Sequence, residues 1–309
     1  MKQYRIKGMG RLPPFHDPKD YSPQKAIEKI GKQNVSAKAE KLFSTKKEKA
    51  TSPDNLQNLD YLPAVRDQGD LGSCVSFACV TALEYLHKLL YKRQTDFSQL
   101  FNYKMGRDLA FGTGSQGDTG LWIKHGLGSL VLHGALEQRR WPYNISQYDR
   151  YPYAHLFSYA DNYETLKYFR LDYPNLSVEG QLERINSYIA NKFPVIAGFY
   201  CFESIDNDHS DSTGEIPYPT PDEAVIGGHA ILIVGYDNNR EVTNPLDGSK
   251  TKGAWLFRNS WSDTWGENGN GWLPYDYLLK RHVNDPAFVL ADEFYSITRS
   301  EWLDAWQFD

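Results

Sequence analysis

The sequence predicts an α+β protein in which helices come first and antiparallel strands follow. Three observations carry this. Apolar residues recur at helical spacing from Phe77 through Leu83 and Leu86 to Leu90, in a stretch rich in Ala, Leu, Glu and Lys. From residue 194 onward the apolar runs become short and continuous, as in Pro194-Val-Ile-Ala-Gly-Phe-Tyr and Ala230-Ile-Leu-Ile-Val-Gly-Tyr. With 309 residues, 40% of them hydrophobic, the chain can bury a substantial core as one large domain or two lobes.

Taken in order, residues 1–23 are rich in Pro, Gly and aromatics, so they read as extended or turning backbone. Residues 24–50 read as one or two short Lys-rich helices, the first capped by Ser22 with Pro23 in its first turn. They look like an appended segment, because their apolar positions are too sparse for a separate core. Gln68-Gly-Asp-Leu-Gly-Ser-Cys74 is a glycine-punctuated loop that runs into the first strong helix. A second glycine loop spans 111–120 and formally contains G-x-G-x-x-G. No apolar strand precedes it and no βαβ alternation surrounds it, so it is a weak dinucleotide signal. Helices are expected at 121–132 and at 179–191, the latter with Leu182, Ile185 and Ile189 on one face. Residues 140–175 carry many Tyr and little periodicity. Residues 203–226 read as a long polar loop, and 237–252 as an Asn/Gly-rich connection between strands 230–236 and 253–258. Pairing Val234 with Ala254 in that hairpin would set His229 opposite Asn259.

Composition narrows the chemistry. Three cysteines cannot build a disulfide framework, and no paired Cys/His spacing suits zinc, so no metal or other cofactor is expected. Cys79 and Cys201 read as packing residues, as do His16, His87, His125, His133, His155, His209 and His282 as packing or surface ones. Cys74 differs. In the first turn of a helix it sits at the positive end of the macrodipole, which favours a thiolate and a lowered pKa. A base and an orienting amide complete the chemistry: His229 at a strand start and Asn259 at a strand end. The Gln68 side-chain amide and the Cys74 backbone N–H are candidate donors to an oxyanion.

These motifs, Gln68-Gly…Gly-Ser-Cys74…Phe-Ala, Gly228-His229-Ala and Asn259-Ser-Trp261…Trp265-Gly…Gly-Trp272, resemble the papain family of cysteine peptidases, in the family's order, over residues 59–280. The resemblance implies a helical left lobe with the Cys-bearing helix at its centre, an antiparallel β right lobe, and an active-site cleft between. It implies Cys74 as nucleophile, His229 as base, Asn259 as orienter, Gln68 as oxyanion donor and Trp261 as a shield over the His–Asn pair. It also puts Gly117, Asp118, Thr119 and Gly120 on the substrate-binding wall, with Gly227 and Gly228 beside the main specificity pocket. Leu71 stands where many members have a disulfide cysteine, Val75 replaces the usual Trp, and Ser262 the usual Gly. The short N-terminal part is similar to bacterial members with short propeptides.

The resulting expectation is a propeptide-like inhibitory segment at 1–58 and a peptidase domain at 59–309. Net charges of +7 and −12 in the two parts favour docking of the segment on the cleft, with cleavage in 51–58 freeing the site. The expected partner is a protein or peptide substrate, with no nucleic acid and no membrane, and the molecule is expected to be a monomer. A deconjugating or acyl-transferring enzyme, or a catalytically silent binding module, is the alternative. The start of the chain lacks the apolar core of a secretory signal, whereas zymogen logic favours secretion over a cytoplasmic location.

Overall fold

The structure, a computed structural model, describes residues 8–14, 53–163, 166–173 and 176–299. The expected Lys-rich helices of 24–50, their Ser22 cap, and His16 lie outside the described residues.

Helices α1 (Cys74–Tyr91), α2 (Gln99–Phe111), α3 (Ile123–Leu132) and α4 (Ala154–Ala160) form one lobe. Every residue of α1 from Cys74 to Leu86 is buried, which fits a helix apolar on nearly all sides that runs through the core. It ends where Lys92 turns left-handed at φ 53°. Helix α5 (Val178–Ala190) is amphipathic as expected and covers the other lobe, its Ser177 hydroxyl accepting from the N–H of Gly180 as a cap.

That second lobe is a seven-stranded antiparallel sheet. Its strands are β1 (Asn55–Gln57), β2 (Leu166–Arg170), β3 (Val195–Phe202), β4 (Val225–Thr243), β5 (Lys250–Arg258), β6 (Asn270–Pro274) and, past two short strands at 281–282 and 285–289, β9 (Ala291–Arg299). The order is β2-β9-β3-β4-β5-β6, with β1 also paired to β4. Side chains of β3 and β4 alternate between two cores. Ile196, Ala230, Leu232 and Val234 join α1, α2 and α3, while Val195, Phe199, Ile231 and Ile233 pack with Ile185 and Ile189 of α5.

Three local expectations change. The 237–252 connection is mostly strand, because β4 runs on to Thr243 and β5 begins at Lys250. The loop at 203–226 contains a short helix, Asp208–Thr213, capped by the Asn207 side chain. The β4–β5 register pairs Leu232 with Arg258 and Ile233 with Phe257, two residues away from the pairing that sets His229 opposite Asn259. A bulge between Ile233 and Gly235 then shifts it again. The chain before Cys74 also contributes to the sheet: β1 pairs Leu56 with Tyr236, and Asn58 donates its side-chain amide to the Ile189 carbonyl.

Candidate active site

The loop before α1 is built around Gln68. Its backbone N–H donates to the Ser260 carbonyl at 2.9 Å, its Nε2 to the Leu71 carbonyl at 2.8 Å, and its Oε1 accepts from the Ser260 hydroxyl. Tyr143 braces the same loop, its hydroxyl donating to the Gln68 carbonyl at 2.9 Å and lying 2.8 Å from the Ser73 hydroxyl. The buried amide therefore has one fixed orientation, with its N–H pair at the mouth of the Cys74 loop.

His229 lies on β4 and is fully buried. Its Nε2 is 2.8 Å from Asn259 Oδ1, which also accepts the N–H of Ser260 at 2.8 Å. A backbone N–H must meet an oxygen, so the amide's orientation is set, and the imidazole must donate from Nε2. The lone pair is then on Nδ1, which is buried and takes no hydrogen-bond partner among the described residues. Trp261 stacks on the imidazole with ring centres 4.4 Å apart, and Phe199 meets it edge-on at 5.8 Å. The sulfur of Cys74 lies against the same strand, since the N–H of Ala230 points at it together with those of Val75 and Gly10.

Gly10 belongs to a segment that crosses the site and touches both lobes. The Gly8 carbonyl accepts from Gln68 Nε2, and the Gly10 carbonyl from the N–H of Leu121 at 2.8 Å. Arg11 donates its N–H to the Gly228 carbonyl at 3.0 Å, Leu12 to the Leu121 carbonyl at 3.1 Å, and the Trp122 indole to the Pro13 carbonyl at 2.7 Å. The passage is narrow. A Cβ on Gly10 would sit 1.9 Å from the Gly72 carbonyl, and one on Gly120 only 2.3 Å from the Gly10 carbonyl.

Covering the site reverses one expectation about charge. Burial pushes the Cys74 thiol up from its ordinary value, against the N–H groups of Gly10, Ala230 and Val75 that favour a thiolate. Burial likewise lowers His229 to about 4, with the Asn259 hydrogen bond opposing. At both groups burial outweighs the opposing hydrogen bonds, which favours the neutral thiol and the neutral imidazole in this closed arrangement.

The other expected residues divide. Gly120 and Gly228 touch the covering segment, and Gly227 lies against Met9. Gly117, Asp118 and Thr119 make hydrogen bonds that hold their own loop. Asp118 accepts from the Gly72 N–H at 2.9 Å and from the Tyr103 hydroxyl, Gly117 donates to Asp149 at 3.0 Å, and the Thr119 N–H returns to the Gly117 carbonyl at 3.0 Å.

The sequence model described as papain family cysteine protease matches residues 50–278. The chain belongs to the papain family. It is similar to an uncharacterized peptidase C1-like protein of Acanthamoeba polyphaga mimivirus, 28% identical over 73% of this chain and 69% of that one. It is also similar to Peptidase 1 of Psoroptes ovis, 25% identical over 73% of this chain but only 61% of the relative's length. Among solved structures, xylellain, a cysteine protease from Xylella fastidiosa, shares the fold with a TM-score of 0.70 at 24% identity, covering 97% of this chain and 98% of that one. The papain-like two-lobe α+β fold expected from the motifs is thus the fold observed.

Sequence reasoning missed several residues that shape this papain-family site. Arg11, Gly198, Asp292 and Glu293 meet beside Gly228, and nothing in their local sequence marks them. Ser260 and Tyr143 orient Gln68 and Asn259. The Asn-Ser-Trp motif contained the first of these two, as the residue between orienter and shield.

Proposed function

We propose that this chain is a cysteine peptidase made as a zymogen. Cys74 is the nucleophile, His229 the base, Asn259 its orienter, and Gln68 Nε2 with the Cys74 N–H the oxyanion donors. The observation that carries this is the double acceptor role of Asn259 Oδ1, which leaves the Nδ1 lone pair of His229 free to take the thiol proton. The sulfur then attacks a peptide carbonyl carbon, and the imidazolium returns its proton to the leaving amine. Water, deprotonated by the same imidazole, hydrolyses the thioester.

The inhibitory role of the N-terminal part is supported by the Gly8 carbonyl on Gln68 Nε2 and the Gly10 N–H on the sulfur, which occupy both groups needed by substrate. Because β1 and the Asp54 carbonyl, which accepts from Asn238 at 2.8 Å, belong to the sheet, activation requires a cut before Asp54, at the leading end of the 51–58 window.

The full chain should gain hydrolysis of a fluorogenic peptide when it processes itself, in step with labelling of Cys74 by an epoxide thiol reagent. Cys74→Ala should abolish both. Peptide hydrolysis that persists in Cys74→Ala would remove this sulfur from its role.

A further inference from the structure

Arg11 is the cation of the described segment 8–14, its side chain wholly inaccessible. The guanidinium Nη2 pairs with Asp292 Oδ1 and, at 3.1 Å, with Glu293 Oε2. The Tyr200 ring faces it with the guanidinium carbon 5.2 Å from the ring centre. Gly198 lets it pass, since a Cβ there would lie 2.4 Å from Arg11 Nε. None of these four residues is needed by the Cys–His chemistry.

The floor is built at some conformational cost. Glu293 is a non-glycine residue at φ 57°, in the irregular stretch where β3–β9 pairing slips between Ile196 and Gly198. Asp172 holds it there, accepting the N–H groups of Glu293 and Phe294 at 3.1 Å each while paired to Arg170. A left-handed glutamate turned inward beside a second carboxylate is not a packing solution, because two adjacent buried anions repel. Their burial raises Asp292 to about 6 and Glu293 to about 7, with Arg11 pulling both down. Once the segment leaves, this cavity holds acidic groups without their cation, one residue along from the sulfur.

We propose that the cavity floored by Asp292 and Glu293 and walled by Gly198 and Gly228 is a specificity pocket for an arginine side chain of the peptide substrate. Arg11 fills it in the closed form. The inference rests on the peptidase reading above and adds its substrate class: peptides carrying arginine within two residues of the cleaved bond. Two carboxylates converge on the terminal Nη2, and the flat guanidinium lies by the Tyr200 ring in the gap left by Gly198, a fit for a long cationic side chain with a planar head.

The test uses the full chain carrying Arg11→Ala, which vacates the pocket. Cys74 labelling rates are compared for peptide epoxides that differ only in bearing arginine, lysine, leucine or glutamate next to the reactive position. The arginine probe is expected to label at least about ten-fold faster than the leucine probe, with glutamate slowest. Adding Asp292→Asn or Glu293→Gln should narrow the arginine-to-leucine ratio, a quantity that does not depend on how much of the protein folds. Labelling by every probe at similar rates overturns the pocket and leaves the peptidase standing. Arginine preference that survives both floor substitutions overturns the assignment of the floor. If no probe labels Cys74 even after the chain has been cut before Asp54, the peptidase reading falls and the pocket falls with it.

Discussion

The carbonyl oxygen of Gly8 accepts a hydrogen bond from the side-chain amide of Gln68, the group proposed to receive the oxyanion. The chain therefore spends its own peptide oxygen on the donor that a substrate would need. The inhibition proposed above depends on backbone fit, and that fit is tightest at Gly10.

Replacing Gly10 with alanine forces a Cβ into the Gly72 carbonyl, where the nearest atoms are all Gly72 backbone and no side chain can yield. Overpacking of this kind costs about 1–3 kcal/mol. The closed form of Gly10→Ala should be weakened accordingly, and epoxide labelling of the full chain should speed up about ten-fold. An unchanged rate would mean that the segment is not what limits access to Cys74.

Acid should open the site. His229 is lowered to about 4 under its cover, whereas an exposed imidazole titrates near 6.5. The open form binds the proton more tightly, so the closed form's advantage is full above about pH 6.5 and shrinks as pH falls toward 4. The shift corresponds to at most about 3 kcal/mol. Amide exchange at Arg11 and Leu12, corrected for its intrinsic pH dependence, should accelerate across that range. Protection that is flat from pH 7 to 4.5 would contradict the coupling.

Removing Asn259 should damage turnover more than binding. Asn259→Ala frees Nε2 of His229 and lets the ring take the wrong tautomer. Turnover is expected to fall about 10²-fold with KM little changed, the scale on which positioned proton transfer contributes. A rise in KM at unchanged turnover would assign Asn259 to substrate binding instead.

The helical lobe offers a separate test of stability. Glu84 is buried on α1, accepts from Arg66 Nη1 at 2.7 and 2.9 Å and from the Phe97 N–H at 2.6 Å, and is raised by burial to about 7 despite Arg66. Arg66→Ala strands that carboxylate and should cost about 3–5 kcal/mol in denaturant unfolding. Glu84→Gln in the same background should recover part of the loss.

What could be read in advance follows from range. α1, α3, α5 and the buried strands 195–200 and 230–236 announce themselves by local periodicity, and the catalytic motifs by short fixed patterns. α2 did not, because its buried face carries Gln99, Asn102, Lys104 and Arg107, polar residues whose partners come from elsewhere, as when Asn102 donates to the Gly126 carbonyl at 2.9 Å. The β4–β5 register escaped because two bulges break the constant sum that hairpin arithmetic assumes. The Arg11 cavity was the least legible feature, since Arg11 and Asp292 lie 281 residues apart and only the folded sheet brings them together.

The strand Asn55–Gln57 carries one last consequence. Because it is sewn into the sheet, the segment at 8–14 stays covalently joined to the lobe it meets and binds it intramolecularly. One cut ahead of Asp54 turns a captive group into a free peptide that dilutes into the surroundings. On the zymogen reading proposed above, activation would then be effectively irreversible by mass action, with no need for the segment itself to be destroyed.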